Sequence, residues 1–226
     1  MEENGRDMLD TSVHDKNGEK LSFPPVIAMI DETNDLGSCE HGDEYILGAT
    51  VIGFEFMDSF AELASKNYHG KELKFKDNPE LREKMLKGIR EFNPRVYAVT
   101  VKKPKFKKWN NEEQRNAHRN ALSKLMHRIA EGENTLFIHM VLDENNKAKS
   151  GTVDFLRENT ATGHGKTITS EIARSKNNFV LQTNDFVLGA MNKAYNQNDN
   201  TYLDILPDAD RSEITKHKTK PIMKKE

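Results

Sequence analysis

The stretch PPVIAMIDETNDLG, residues 24–37, decides the fold. An uninterrupted apolar run, 26–30, follows two prolines, reaches Asp31 and Glu32, and gives way to turn-forming residues. Such a run predicts a central strand that is covered on both faces. A carboxylate at the end of a buried strand is costly to desolvate unless an arginine, backbone amides or a metal ion pairs with it. The stretch therefore predicts a buried strand whose acids find a partner elsewhere in the chain.

Other apolar runs alternate with helical patterns along the chain. YILGATVIGF (45–54) is a second uninterrupted run, and a short loop separates it from the first. Residues 112–132 form the clearest helical pattern, with His118 in register with its apolar face, which predicts a core-edge histidine. Alternating strands and helices predict an α/β domain, and the short loop predicts a mixed sheet. The predicted strands are 26–31, 45–54, 95–103, 135–146 and 166–173; the predicted helices are 58–68, 79–92, 112–132, 152–159 and the later part of 178–196.

Length and composition set the domain organisation. The 226 residues suit one domain, predicted over 23–202, with a flexible leader over 1–22 and a basic polar tail over 203–226. The single cysteine, Cys39, excludes an internal disulfide framework and a cysteine-based zinc cage. No apolar run approaches the roughly 20 residues that cross a bilayer. The polar first residues do not resemble a secretory signal, so we expect a cytoplasmic protein.

Positive charge is concentrated in two segments. Residues 102–128 hold nine Lys or Arg against two Glu, and 211–226 hold six against two, although the net charge of the chain is −2. A basic segment on an acidic body is typical of a surface that holds a nucleic-acid backbone. A solvated helix face followed by a disordered tail would give the same pattern, so both interpretations stay open.

Two aspartates end two apolar strands. Asp31 closes the first predicted strand and Asp143 closes the strand in TLFIHMVLDENN. Because side chains alternate along a strand, Asp31 shares a face with Met29, and Asp143 shares a face with His139. If the two strands are neighbours, both carboxylates point the same way, and His139 becomes a supporting candidate. Ligands of α/β sheets bind where strands end, which favours a site there.

Two further acids are candidates for the same site. Asp185, in QTNDFVLGAM, lies at the start of a predicted helix, where a capping acid is the alternative interpretation. Gln182, three residues earlier, shares its helix face and could steady it. Glu72, in HGKELKF, has lysines around it and could instead be an exposed surface acid. Four converging carboxylates would repel one another unless a divalent cation shared them, and oxygen ligands favour Mg²⁺ or Mn²⁺.

Five segments together resemble a prokaryotic family, domain of unknown function 3800. That family shows an Asp-Glu pair after its first strand and a Gln-x-x-Asp near its end, which match Asp31-Glu32 and Gln182 with Asp185. The resemblance covers about residues 25–197. The segments that carry it are MIDETNDLG, YILGATVI, GKELKF, FIHMVLDENN and FVLQTNDFVLGAM.

The resemblance implies a ribonuclease H-like fold: a mixed five-stranded sheet flanked by helices, with acids beside the central strands. By position, it implies Asp31, Glu72, Asp143 and Asp185 as the site acids. Glu72 precedes the predicted helix instead of lying inside it, so Glu32 is an alternative for the second acid.

Two functional hypotheses follow. The first is a metal-dependent nuclease or related phosphotransferase, in which these four acids ligate Mg²⁺ or Mn²⁺, Gln182 positions an acid or a substrate oxygen, and residues 102–128 hold nucleic acid. The second is a non-catalytic protein of the same fold that binds nucleic acid or another protein, for instance in defence against mobile elements. In the second case the acids are pairing or capping residues.

Overall fold

The computed structural model describes residues 13–14, 20–21, 23–33, 36, 43–68, 72–76, 79–103, 109–144, 150–206 and 208–209. Most of the predicted leader and tail, Cys39 and residues 104–108 lie outside them. The strands are β1 (Val13–His14), β2 (Lys20–Leu21), β3 (Val26–Thr33), β4 (Glu44–Gly53), β5 (Arg95–Lys102), β6 (Phe137–Asp143), β7 (Thr167–Ala173) and β8 (Asp208–Ala209). The helices are α1 (Met57–Ser65), α2 (Pro79–Arg90), α3 (Asn111–Gly132), α4 (Ser150–His164) and α5 (Phe179–Gln197).

The main sheet is mixed, as the sequence predicts. Its order is β7-β6-β3-β4-β5-β8. β4 runs antiparallel to both of its neighbours, and the other pairings, β3 with β6, β6 with β7 and β5 with β8, are parallel. Five long strands agree with what the resemblance implies, and the two-residue β8 adds an edge. β1 and β2 form a separate antiparallel pair.

Both faces of the central strands are covered by helices, so β3 is apolar throughout its buried part. Val26, Ala28 and Ile30 pack into the core beneath α3 and α4. Ile27 and Met29 pack into the other core, beneath α1, α2 and α5. The period-two alternation of side chains therefore serves two cores at once.

The helix α5 starts earlier than its sequence suggests. Its N-cap is Asn178, whose side chain accepts hydrogen bonds from the N–H groups of Val180 and Leu181. Asp185 therefore lies in the second turn, and the interpretation of Asp185 as a cap is wrong. Among the described residues, no helix has the length and apolar character needed to cross a bilayer.

Two other boundaries differ from the sequence prediction. The helix α4 extends to His164, beyond the predicted 152–159, because Val153, Leu156 and Thr160 are buried along one helical face. The folded part also continues past residue 202. Leu203 and Leu206 are buried in the core beneath α5, and β8 pairs with β5.

Glycines let α5 approach the sheet and its neighbours closely. A Cβ atom on Gly48 of β4 would lie 2.4 Å from Leu188 Cδ2 of α5. A Cβ atom on Gly189 of α5 would lie 2.1 Å from Phe75 Cγ. At Gly189 only glycine fits, because the close atoms include Cβ and Cγ of Phe75, whereas at Gly48 the close atom is the end of the Leu188 side chain.

Candidate functional site

Several strand ends meet at one edge of the sheet, here called the carboxyl edge. The parallel strands β3, β6 and β7 end there together, and β5 ends beside the start of β4 at the same edge. The N-terminal part of α3 also reaches it, since His118 lines a small cavity with Asp31 and Asp143. The acids at the strand tips therefore share one end of the domain.

Asp31 and Asp143 lie side by side at the carboxyl edge. Met29 pairs with Val141, and Ile30 with Leu142, so the next residues of β3 and β6 are Asp31 and Asp143. Met29 and Val141 both belong to the core beneath α5. Alternation places Asp31 and Asp143 on this same face. The predicted common orientation of the two carboxylates is confirmed.

Asp31 is a half-buried acid that faces other acids. Burial, the largest cause, raises the pKa of Asp31 well above its ordinary value, and the charges of Asp143, Glu32 and Asp185 raise it further. The N–H of Glu32 donates a hydrogen bond to Asp31 Oδ1 at 2.6 Å, which opposes the shift. Within the described part of the chain, no lysine or arginine forms an ion pair with Asp31. The strand delivers an acid to its tip, and no described lysine or arginine is in contact with it.

The helix α5 holds Asp185 and Gln182 against residues 72–76. Asp185 Oδ2 accepts a hydrogen bond from the N–H of Phe75 at 2.8 Å. Gln182 Oε1 accepts one from the N–H of Leu73 at 3.2 Å, and its Nε2 donates to the carbonyl of Ser175 at 3.0 Å. The predicted shared face of the two residues is confirmed, because both bind the same segment.

Glu72 lies in that segment, before α2 and outside regular structure. Its Oε1 accepts hydrogen bonds from Lys74 Nζ at 2.7 Å and Ser175 Oγ at 2.7 Å. Burial alone would raise the pKa of Glu72, but these hydrogen bonds and the charges of Lys74 and Lys176 bring it below its ordinary value. The interpretation of Glu72 as a simple exposed acid is wrong, since folding places it against Ser175.

Asp143 connects Glu72 to the strand tips. Its Oδ1 accepts a hydrogen bond from the N–H of Ser175 at 2.9 Å. Burial raises the pKa of Asp143 and the charge of Glu72 adds to it, while the Ser175 hydrogen bond and the charge of Lys74 oppose it. Folding thus brings together one acid cluster, consisting of Asp31, Glu72, Asp143 and Asp185.

Of the three supporting candidates, Gln182 lies at the acid cluster, and Glu32 and His139 do not join it. Glu32 points to the α3 side, where it lines the small cavity with His118. His139 lies four residues before Asp143 on β6, and its Nδ1 is 2.8 Å from Thr169 Oγ1 of β7. Glu32 is therefore off the face that Asp31 and Asp143 share, whereas His139 is on that face but lies four residues from Asp143 and contacts Thr169 instead. His118 itself is buried, with its Nδ1 2.6 Å from the hydroxyl of Tyr45, as a core histidine should be.

Sequence reasoning missed Lys74 and Ser175. Lys74 stands among other lysines in GKELKFK, so its charge looked like part of a solvated run. The period-two spacing of Glu72 and Lys74 was the signal that could have placed them on one side. Ser175 follows β7 in a single 3₁₀ turn, where no pattern marks it.

The donor set suits a hard divalent cation, although the side chains are not yet arranged around one. Among the described residues, no group of three or more His, Cys, Asp or Glu is placed to hold a metal ion. The four acids nevertheless offer only carboxylate oxygens, the ligands that Mg²⁺ and Mn²⁺ prefer. The raised pKa of Asp31 and of Asp143 also means that added positive charge would stabilise the ionised acids.

The basic segment is only partly available to a ligand. Lys103 is buried, and Arg128 donates to the carbonyl of Ala98 at 2.9 Å. Arg119 is exposed and its guanidinium lies 5.5 Å from the ring centre of Phe155, which is 53% exposed. Arg115 lies one turn nearer the carboxyl edge. Among the described residues of the segment, the N-terminal half of α3 presents two exposed arginines, Arg115 and Arg119, that can meet a phosphate backbone.

Comparisons with known proteins add a likeness in fold. No protein-family model matches the sequence, and no curated protein matches it significantly. A chain from the PCNA:RNase HII complex of Archaeoglobus fulgidus superposes with a TM-score of 0.47 at 11% identity, over 74% of this chain and 73% of that chain. The ribonuclease H2 of Pyrococcus horikoshii OT3 gives a TM-score of 0.48 at 11% identity, over 74% and 72%. The structure itself shows a mixed α/β sheet flanked by helices, with one antiparallel strand, β4, beside β3.

Proposed function

We propose that this protein is a metal-dependent enzyme that cleaves phosphodiester bonds in nucleic acid. The observation that carries the proposal is the placement of Asp31 and Asp143 side by side on one face, joined by Asp185 and Glu72. A protein gains no stability from a buried acid that faces other acids. Such an arrangement is characteristic of functional sites, where charge is held ready for a ligand.

In this proposal the four acids share one role, which is to bind the metal. Asp31, Glu72, Asp143 and Asp185 hold Mg²⁺ or Mn²⁺ through carboxylate oxygens. Bound there, the metal supplies activation of a water and stabilisation of the leaving oxygen. Gln182 keeps residues 72–76 against α5, because it binds Leu73 on one side and Ser175 on the other.

The N-terminal half of α3 supports a polymeric substrate. Arg115 and Arg119 lie one helical turn apart, on the part of α3 that reaches the carboxyl edge. If they contact phosphates, binding of an oligonucleotide weakens steeply with added salt. Arg115→Gln together with Arg119→Gln should flatten that salt dependence and leave the melting temperature within a few degrees. A wild-type affinity that is independent of salt would remove nucleic acid as the substrate.

The deciding experiment compares Asp31→Asn with a matched surface variant, Asp58→Asn. Asp58 is exposed in the first turn of α1, which follows the end of β4 at the edge of the sheet opposite the acid cluster. We expect Mn²⁺ to raise the melting temperature of the wild type and of Asp58→Asn but not of Asp31→Asn. We also expect Asp31→Asn to lose metal-stimulated cleavage of single- and double-stranded oligonucleotides by a factor of at least about 10².

The alternative, a non-catalytic binding module, predicts a different result. In that case Mn²⁺ changes no melting temperature, and Asp31→Asn binds oligonucleotides as the wild type does. Membership of the domain of unknown function 3800 family stays a prediction, and it has no part in this test.

A further inference from the structure

The acid cluster already contains a positive charge, the ammonium of Lys74. Lys74 Nζ lies 2.7 Å from Glu72 Oε1. The charges of Asp185, Glu72 and Asp31 all act on this ammonium, and its own charge acts on Asp143. One side chain thus interacts with all four acids.

The backbone fixes Lys74 there, so the contact is built into the fold. The neighbouring residues on both sides are tied to α5: Leu73 donates to Gln182, and Phe75 donates to Asp185. The Phe75 ring packs against Gly189 of the same helix, where no larger residue fits. A lysine between two such anchors has little freedom to direct its first carbons elsewhere.

We propose that the Lys74 ammonium acts as the resident counter-ion of the acid cluster and must leave the carboxylates for a divalent cation to enter. This inference rests on the proposed function, because it assumes that the acid cluster binds Mg²⁺ or Mn²⁺. It also gives a reason why no three of the acids are placed around a common point in the described residues. With Lys74 in the acid cluster, the Glu72 carboxylate is turned toward an ammonium.

The exchange follows from charge. An ammonium and a divalent ion repel each other at the short separations inside a site of low effective dielectric. Glu72 Oε1, which pairs with Lys74, is one of the oxygens assigned to the metal, so the two cations compete for it. The side chain of Lys74 is 38% exposed, and its long flexible stem can carry the ammonium outward to water.

Two opposite effects of one substitution follow. Lys74→Met keeps most of the stem and removes the charge. The metal-free protein should then melt at a lower temperature, because the acids lose their counter-ion. The same variant should bind Mn²⁺ at least about tenfold more tightly than the wild type, since the metal no longer displaces a cation from contact distance.

The experiment is isothermal titration of Mn²⁺ into wild type, Lys74→Met, Lys74→Arg and Lys76→Met, with melting temperatures measured alongside. Lys76 is an exposed lysine in the same segment, so Lys76→Met controls for the loss of one nearby charge. We expect both Lys76→Met and Lys74→Arg to bind Mn²⁺ within about twofold of the wild type. The charge of Lys76 is screened by solvent, so its loss matters little, and Lys74→Arg retains a cation at position 74. Binding by Lys74→Met alone, with none by wild type, would also support the exchange.

The outcomes separate this inference from the proposed function. If no variant binds Mn²⁺, the metal site itself is refuted. If the wild type binds Mn²⁺ and Lys74→Met binds it no more tightly, the metal site stands and the counter-ion exchange is refuted. Should Lys74→Met fail to fold, Lys74→Gln repeats the comparison with a side chain that can still donate to Glu72.

Discussion

Two carboxylates lie at opposite edges of the sheet, the half-buried Asp31 at the carboxyl edge and the buried Glu133 at the other. Glu133 follows the C-terminus of α3 and accepts a hydrogen bond from the hydroxyl of Tyr97 at 2.7 Å. The guanidinium of Arg95 forms an ion pair with its second oxygen. Burial raises the pKa of Glu133, while Tyr97, Arg95 and Lys166 oppose the shift. Glu133 is thus a buried acid with partners of the kind that stability requires.

Asp31 has the opposite surroundings. Burial raises its pKa as it does for Glu133, but three neighbouring acids add to the shift instead of opposing it. The comparison shows that burial alone does not mark a functional acid, since Glu133 is the more buried of the two. What distinguishes Asp31 is the sign of the surrounding charge, which is negative around Asp31 and positive around Glu133. A fold that retains Asp31 among acids carries an electrostatic cost that a ligand can remove.

The largest effect should come from Gly189→Ala, which strains the carboxyl edge and leaves the Glu133 edge intact. The new Cβ atom would meet Cβ and Cγ of Phe75, 2.5 and 2.1 Å away, near the backbone where the ring cannot swing aside. We expect a loss of about 3 kcal/mol in the free energy of unfolding, measured by urea denaturation. The Mn²⁺-induced rise in melting temperature should shrink as well, because Phe75 anchors Asp185.

Gly163→Ala is the matched control. Gly163 also lies in a helix, but its added Cβ would have only His127 Cε1 nearby, at 3.8 Å. Alanine is the better helix former, so this variant should be neutral or stabilised by up to about 1 kcal/mol. Equal losses for both glycines would mean that close packing against Phe75 is not what the position requires.

Glu133→Ala should have the next largest effect, a loss of about 2 kcal/mol, because Tyr97 and Arg95 lose their common acceptor. The loss stays moderate because Arg95 is 45% exposed and can turn to water. Glu133→Gln retains an acceptor for Tyr97 and should lose less. In both variants the response of the melting temperature to Mn²⁺ should equal that of the wild type. A lost response would mean that the two edges are coupled, and the comparison between them would fail.

Much of the fold and part of the acid cluster can be predicted from the sequence. Uninterrupted apolar runs located β3 and β4, and alternation placed Asp31 and Asp143 on one face, because both signals arise from neighbouring residues. Which strands pair is a long-range property. The adjacency of β3 and β6 is what turned two strand-end acids into neighbours.

The rest of the acid cluster depends on contacts between distant segments. Glu72 reaches it because Leu73 and Phe75 bind α5, more than a hundred residues away along the chain. No local pattern contains that contact. The pattern QTNDF resembles a helix start, which predicted Asp185 in the first turn of the helix. Asn178 upstream is the better cap, so the helix begins earlier and Asp185 lies in its second turn. His139 shares the face of Asp143, but distance along β6 and Thr169 on the next strand direct it elsewhere.

Asp31→Asn should have a smaller effect on stability, and in the opposite direction to Glu133→Ala. Removing the charge of Asp31 relieves its repulsion with Asp143 and Asp185, so the metal-free protein should gain about 1 kcal/mol at neutral pH. Urea denaturation in the presence of a chelator measures the gain. A loss of stability similar to that of Glu133→Gln would show that Asp31 is a paired structural acid, and the contrast between the edges would disappear.

The smallest effect is the pH dependence of that gain. The pKa of Asp31 is raised in the folded state, so between the ordinary aspartate value and the raised one the folded protein holds a proton that the unfolded chain has released. The contribution of Asp31 to the free energy of unfolding therefore falls as pH rises through that interval. Above the interval Asp31 is ionised in the folded protein, and its destabilising effect is complete. The difference between Asp31→Asn and wild type should be near zero in acid and grow toward neutral pH, over a series from about pH 4 to about pH 8. A difference that is constant across the series would assign the gain to packing, because only a charge that titrates between the two states can make it depend on pH.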